Sequence, residues 1–115
     1  MHCLRVMNSL HTRDKELQCI AMLHDCPEDG VCTLQDLRDA GFSERVVYAV
    51  DVLTHYPGME YMEYIKHIAN CEDARLVKLA DLKDNSDITR LKGLTKKDFD
   101  RMEKYHTAYT YLSKV

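Results

Sequence analysis

Apolar residues return every three or four positions along nearly the whole chain, and over no useful length do they alternate at strand spacing. A chain with that period can bury its apolar surface only by packing helices face to face. Leu4, Val6, Met7 and Leu10 place a first helix in the segment from Met1 to His11. Leu17, Ile20, Ala21 and His24 form the inner face of a second, from about Asp14 to Asp25, which Pro27 stops because its ring cannot continue the hydrogen-bond ladder. Thr33 caps a short helix from Leu34 to Ala40 that Gly41 ends, and Ser43 caps another, from Glu44 to Thr54, with Val46, Val47, Val50 and Leu53 inward. After the break at His55-Tyr56-Pro57-Gly58, the segment from Met59 to Ala69 is helical with Met62, Ile65, Ile68 and Ala69 on one side. Asn70 is expected to cap a helix of about Glu72 to Thr89, and Thr95 with Asp98 opens a last helix that reaches about Ser113. The expected fold is all-α: a compact bundle of six or seven helices forming one domain over residues 1–115.

The chain carries four Gly and two Pro, too few for long irregular loops. Net charge is −3 with no basic stripe, which argues against nucleic acid as a partner and leaves small anionic ligands open. No apolar run approaches a membrane span, so no membrane partner is expected. Five Cys (Cys3, Cys19, Cys26, Cys32 and Cys71) are odd in number and include no C-x-x-C pair, so packing in a reducing cytoplasm is the expected role, with Cys26 the one candidate for a reactive thiol.

Two stretches carry chemistry. In Leu23-His24-Asp25-Cys26-Pro27-Glu28-Asp29, an imidazole and a carboxylate meet at a helix end, and two more carboxylates occupy the turn beyond. Neutral imidazole and carboxylate are both ligands for divalent ions, although a half-buried His beside a helix-end Asp would look the same. In the second stretch, Val77, Asp81, Asn85 and Ile88 share one side of a helix, with Lys78 three residues before Asp81. A carboxylate and an amide thus interrupt an apolar stripe. An unpaired buried carboxylate is costly, so Asp81 needs a partner: Lys78, or a metal shared with His24 and Asp25. His2, four residues before Val6 and eight before Leu10, projects from the apolar side of the first helix, whereas His11, His55, His67 and His106 read as surface or loop residues.

These residues resemble those of the HD-domain metal-dependent phosphohydrolases. The nearest branch is the alarmone hydrolases, which remove the 3′-pyrophosphate of guanosine tetraphosphate. The likeness runs over nearly the whole chain. His2 with Leu4-Arg5-Val6-Met7 is similar to the family's first metal-ligand segment, and Leu23-His24-Asp25 to the motif that names the family. Glu28-Asp29 matches the acidic pair this branch uses in catalysis, and Thr33-Leu34-Gln35-Asp36-Leu37 looks like the helix that follows. Val77-Lys78-Leu79-Ala80-Asp81 with Asn85 resembles the segment of the last metal ligand and a substrate-contacting Asn, and Tyr105 lies near the place of a nucleotide-contacting Tyr. Three departures stand out: Cys3 replaces the usual Pro after the first ligand His, His55 stands where a basic residue is common, and the further helix that usually precedes the first ligand does not precede His2.

The resemblance implies an HD-like helical bundle and one divalent ion, Mn²⁺ by expectation, on His2, His24, Asp25 and Asp81. It implies hydrolysis of a nucleotide substrate by a metal-bound water, with Glu28 and Asp29 orienting or deprotonating that water. Lys78, Asn85 and Tyr105 would contact the substrate. Homo-oligomerisation stays open. Other outcomes are a related phosphohydrolase acting on a different nucleotide, a domain that binds a nucleotide or partner without turnover, and an iron oxygenase, which would need further His ligands. With no helix ahead of it, His2 is expected to be the loosest of the four ligands.

Overall fold

The computed structural model describes residues 2–87 and 94–115. Among them are seven helices and no strand: α1 (His2–Ser9), α2 (Lys15–Leu23), α3 (Leu34–Asp39), α4 (Glu44–Leu53), α5 (Tyr61–Ile68), α6 (Glu72–Asn85) and α7 (Lys96–Ser113). The all-α expectation holds. Helix α6 is the hub: α1, α2, α4, α5 and α7 all pack against it. Its buried side carries Ala74, Val77, Ala80 and Leu82, and also the charged Asp81.

The caps explain most of the helix starts. Thr33 and Thr95 each accept from the backbone N–H three residues on, at Asp36 and Asp98, whose carboxylates accept from the Thr backbone in return. Ser43 accepts from the Val46 N–H, and Asp14 from those of Glu16 and Leu17. Gly41, at φ +94°, and Gly58, at φ +86°, take the left-handed backbone at the two sharp reversals. Arg45 adds a tie that the helical periodicity does not reveal. Its guanidinium bonds Asp14 at 2.7 Å, Glu16 at 2.9 Å and Asp73 at 2.8 Å. One fork thereby joins the starting turns of α2, α4 and α6.

Several boundaries differ from the expected ones. α1 ends at Ser9, and His11 adopts φ +48° just beyond it. α5 starts at Tyr61, capped by Glu60, whose side chain accepts from the Glu63 N–H. The cap of α6 is Cys71, not Asn70, and no side-chain hydrogen bond accompanies it; Cys71 packs against the core instead. α6 ends at Asn85, while Ile88 and Thr89, assigned to it from spacing, lie outside the described residues. α2 stops at Leu23, four residues before Pro27, because the Cys26 N–H turns back to the Leu23 carbonyl at 3.0 Å and tight turns continue to Gly30.

The inner faces match the pattern. Val46, Val47, Val50, Leu53, Ile65 and Ile68 are buried with Val6, Leu17 and Ile20, and Met62 packs on their margin. Tyr64 joins this core unannounced, because its phenol reaches the Leu53 carbonyl at 2.5 Å and so satisfies its one polar group. Helix α7 docks through Ala108 and Leu112, both fully buried. Truncating Leu112→Ala should cost roughly 2–5 kcal/mol, the range for deleting a buried leucine side chain. Urea unfolding measures it, and a loss below about 0.5 kcal/mol, the surface-substitution range, would show that α7 is not seated on the core.

Candidate metal centre

Three parts of the chain converge on Asp81. His2 arrives from the first turn of α1, His24 from the C-cap of α2, and Asp81 projects from the middle of α6. His24 and Asp81 are 2% and 4% exposed. Asp81 shares its two oxygens among four donors. Oδ1 faces His2 Nε2 at 2.6 Å, His24 Nε2 at 3.4 Å and the Asn85 amide at 3.0 Å; Oδ2 accepts from Lys78 Nζ at 2.9 Å. The Lys78–Asp81 ion pair foreseen from the i+3 spacing therefore forms, and the two histidines join it.

The second nitrogen of each ring determines what the first can do. His24 Nδ1 lies 2.6 Å from the Ala21 carbonyl, an acceptor only, so Nδ1 carries the proton. His2 Nδ1 lies 2.5 Å from Asp84 Oδ2, and Arg5 Nε holds the other oxygen of Asp84 at 2.9 Å. Both imidazoles thus have Nδ1 committed as a donor and Nε2 turned to the same carboxylate oxygen. An Nε2 lone pair facing a carboxylate repels it unless a proton or a cation stands between them. This is the arrangement in which histidines bind metals, with the outer nitrogen fixed by a carboxylate or carbonyl.

Asp25 completes the group, 3.4 Å from His24 Nε2 and 3.9 Å from His2 Nε2. His2, His24 and Asp81 offer donor atoms within 4.8 Å of one another, and Cys3, His24 and Asp25 do the same. Two imidazoles and two carboxylates make a donor set that suits a divalent ion of the first transition row. Both nitrogens of His2 are engaged, one by Asp84 and one by Asp81. Its anchor Asp84 gave no signal in the sequence, because the two residues lie 82 positions apart.

Electrostatics follow the geometry. The Asp81 bond, opposed by burial and helped by Asp84, raises the His2 pKa above its ordinary 6.5. Burial lowers that of His24, but the Asp81 bond and charge together outweigh it and leave the value raised. Burial would push the Asp81 carboxyl up; the two imidazoles and Lys78 reverse this and hold it far below the carboxylate range. Burial raises the Cys3 thiol, with the charge of Asp25 next in effect.

The other expected residues are placed as follows. Glu28 and Asp29 are exposed in the turns that follow His24, and Glu28 accepts from the His55 backbone N–H, which pins that turn to the α4–α5 loop. His55 lies in the α4–α5 loop, as expected. It is half-buried, bonds the Met59 carbonyl at 2.6 Å through Nε2, and stacks on the Tyr64 ring at 4.6 Å between centroids. Tyr61 closes the same cluster, edge-on to His55 at 6.0 Å, and among the described residues its buried hydroxyl has no hydrogen-bond partner. Lys78 Nζ lies 5.3 Å from the Tyr64 ring centre; Lys104 lies 4.5 Å from that of Tyr61 and 5.7 Å from that of Tyr105. Tyr105 therefore stands beside Tyr61 on the α7 side. His11, His67 and His106 are exposed as expected. The five Cys are all free thiols. Among the described residues no helix is long and apolar enough to cross a membrane. Comparison with family models and with curated proteins finds no match for the chain.

The paired imidazoles make a prediction for metal-free protein. Groups more basic in the folded than in the unfolded state stabilise the fold while protonated. Their contribution is complete below 6.5, the unfolded value, and is lost as pH rises through the raised folded values. The Asp81 carboxylate has the opposite sign: its contribution is present above 3.8 and is lost only in strong acid, so it stays constant near neutrality. Urea unfolding in chelator should thus show stability falling as pH rises above about 6.5, and Asp81→Asn should flatten the fall. A flat or rising profile in the unaltered chain would contradict the imidazole–carboxylate contacts.

Proposed function

We propose that the chain is a metal-dependent phosphohydrolase of the HD type, acting on a nucleotide such as guanosine tetraphosphate at its 3′-pyrophosphate. One observation carries this reading: His2 and His24, each with Nδ1 tied down, turn Nε2 onto buried Asp81 while Asp25 flanks both. His2, His24, Asp25 and Asp81 would hold a divalent ion, Mn²⁺ by resemblance. A divalent ion bound there supplies Lewis acidity, lowering the pKa of a water and offsetting charge at phosphorus.

The chain's own residues have definable parts. Lys78 and Asn85 donate to Asp81 and fix its orientation. Glu28, held by the His55 N–H, and Asp29 beside it sit in the turn directly after His24 and Asp25, where a carboxylate can take a proton from the attacking water without being a ligand. His55, Tyr61 and Tyr64 form an aromatic wall beside Lys78. The unpartnered Tyr61 hydroxyl is a polar group that a bound substrate would satisfy. Tyr105, next to Tyr61 through Lys104, would extend that wall toward the nucleoside. The free thiols favour a cytoplasmic setting.

The test is a nucleotide panel with Mn²⁺-loaded protein, with pyrophosphate and orthophosphate release read separately. Pyrophosphate from guanosine tetraphosphate is the expected result; orthophosphate from a simple monophosphate would move the substrate to another nucleotide, and binding without any release would leave a domain that binds without turnover. Chelation should abolish release and Mn²⁺ restore it. Glu28→Gln keeps an oxygen for the His55 N–H but cannot act as a base. It should retain metal and nucleotide affinity while the single-turnover rate falls roughly 10²-fold or more, the scale of a lost general base. A change below about threefold in both Glu28→Gln and Asp29→Asn would reduce the acidic pair to loop structure.

A further inference from the structure

The donor atoms around His24 form two overlapping groups. One contains His2 and Asp81; the other contains Cys3 and Asp25, with the Cys3 sulfur within 4.8 Å of the His24 and Asp25 donors. Cys3 follows His2 in the first turn of α1, so the same backbone that presents the imidazole also presents the thiol. Asp25 adds an independent sign that a cation belongs on this side. Its carboxylate is only 35% exposed, and its closest polar contacts are the two imidazole Nε2 atoms at 3.4 and 3.9 Å; it accepts no hydrogen bond from the described residues. Donors bound to one ion at ~2.1–2.3 Å stand about 3–4.5 Å apart, close to the spacing within each group, and His24 is common to both.

We propose that Cys3 is a fifth ligand of this centre, and that its sulfur gives the site a preference for a thiophilic ion, Zn²⁺ or Fe²⁺, over Mn²⁺. The inference rests on the reading that His2, His24, Asp25 and Asp81 hold an ion, and it specifies which one. Thiolate is a soft donor and favours zinc and iron, whereas a site of oxygen and nitrogen alone tolerates manganese. The bond forms between sulfur and the ion as the thiol proton leaves to solvent. No electron is transferred. Cys3 stands where the resembling family usually has proline, which offers no donor, so the preference would be particular to this chain.

Cobalt reports the assignment without any enzymatic assay. Reduced, chelator-stripped protein is loaded with Co²⁺ and its absorption recorded. Ligand-field bands in the visible signal cobalt in the site, and a sulfur-to-cobalt charge-transfer band in the near ultraviolet appears only if a thiolate is bound. The unaltered chain should show both. Cys3→Ser should keep the visible bands and lose the charge-transfer band, while Cys26→Ser should keep both. In competition, Cys3→Ser should weaken Zn²⁺ binding by roughly tenfold or more and leave Mn²⁺ within about twofold. Visible bands without charge transfer in the unaltered chain, or a charge-transfer band that survives Cys3→Ser, would overturn the fifth ligand and leave the four-ligand reading standing. No cobalt spectrum at all in the unaltered chain would overturn both. The first arm needs no variant, so a folding defect in Cys3→Ser cannot obscure it.

Discussion

A single carboxylate in the middle of α6 governs the arrangement around it. Asp81 is ionised and almost wholly buried, an expensive state for a lone charge in an apolar interior. It is tolerated because His2, His24, Lys78 and Asn85 all aim donors at its two oxygens. Lys78 and Asn85 come from the same helix, at i−3 and i+4, and would be present in isolated α6. His2 and His24 come from other helices. Asp81 therefore demands that α1 and the end of α2 be brought to α6 in one register, and the packing of both helices on α6 meets that demand.

The surrounding structure keeps that register. Arg45 ties the starts of α2, α4 and α6 at the end of α2 remote from His24. Glu28 ties the turn after His24 to the loop that carries His55. Asp84, itself held by Arg5, fixes the outer nitrogen of His2. Each tie restricts the position of an element that supplies a donor or a carboxylate to the centre.

Much of this was legible in the residues and some was not. Thr33, Ser43 and Thr95 announced their helices because a cap is a local interaction, complete within four residues. The valines of α4 announced the core because periodicity is local too. Asn70 misled for the same reason: it is a good cap in general, but the backbone turns one residue later and Cys71 takes the place. Tyr64 went unread and the half-burial of His55 went unforeseen, since both depend on a carbonyl or a ring supplied by other parts of the chain. The grip on His2 was invisible for that reason, because Asp84 lies 82 residues away. His24, Asp25 and Asp81 could be nominated as polar interruptions of apolar stripes. That they meet was expected from the need of Asp81 for a partner and from the resemblance, and not from the periodicity.

The central claim is that the imidazole–carboxylate contacts around Asp81 mark a place for a divalent ion. Calorimetric titration of Mn²⁺ and Zn²⁺ into chelator-stripped protein, beside Asp81→Asn, tests it most directly. The account predicts about one ion per chain for the unaltered protein, with a melting temperature that rises with ion concentration because the ion binds the folded state. In Asp81→Asn, both the binding and the rise should be lost. Equal binding by the two proteins, or no saturable binding by the unaltered chain, would contradict it and leave Asp81 as the anchor of a purely structural charge cluster.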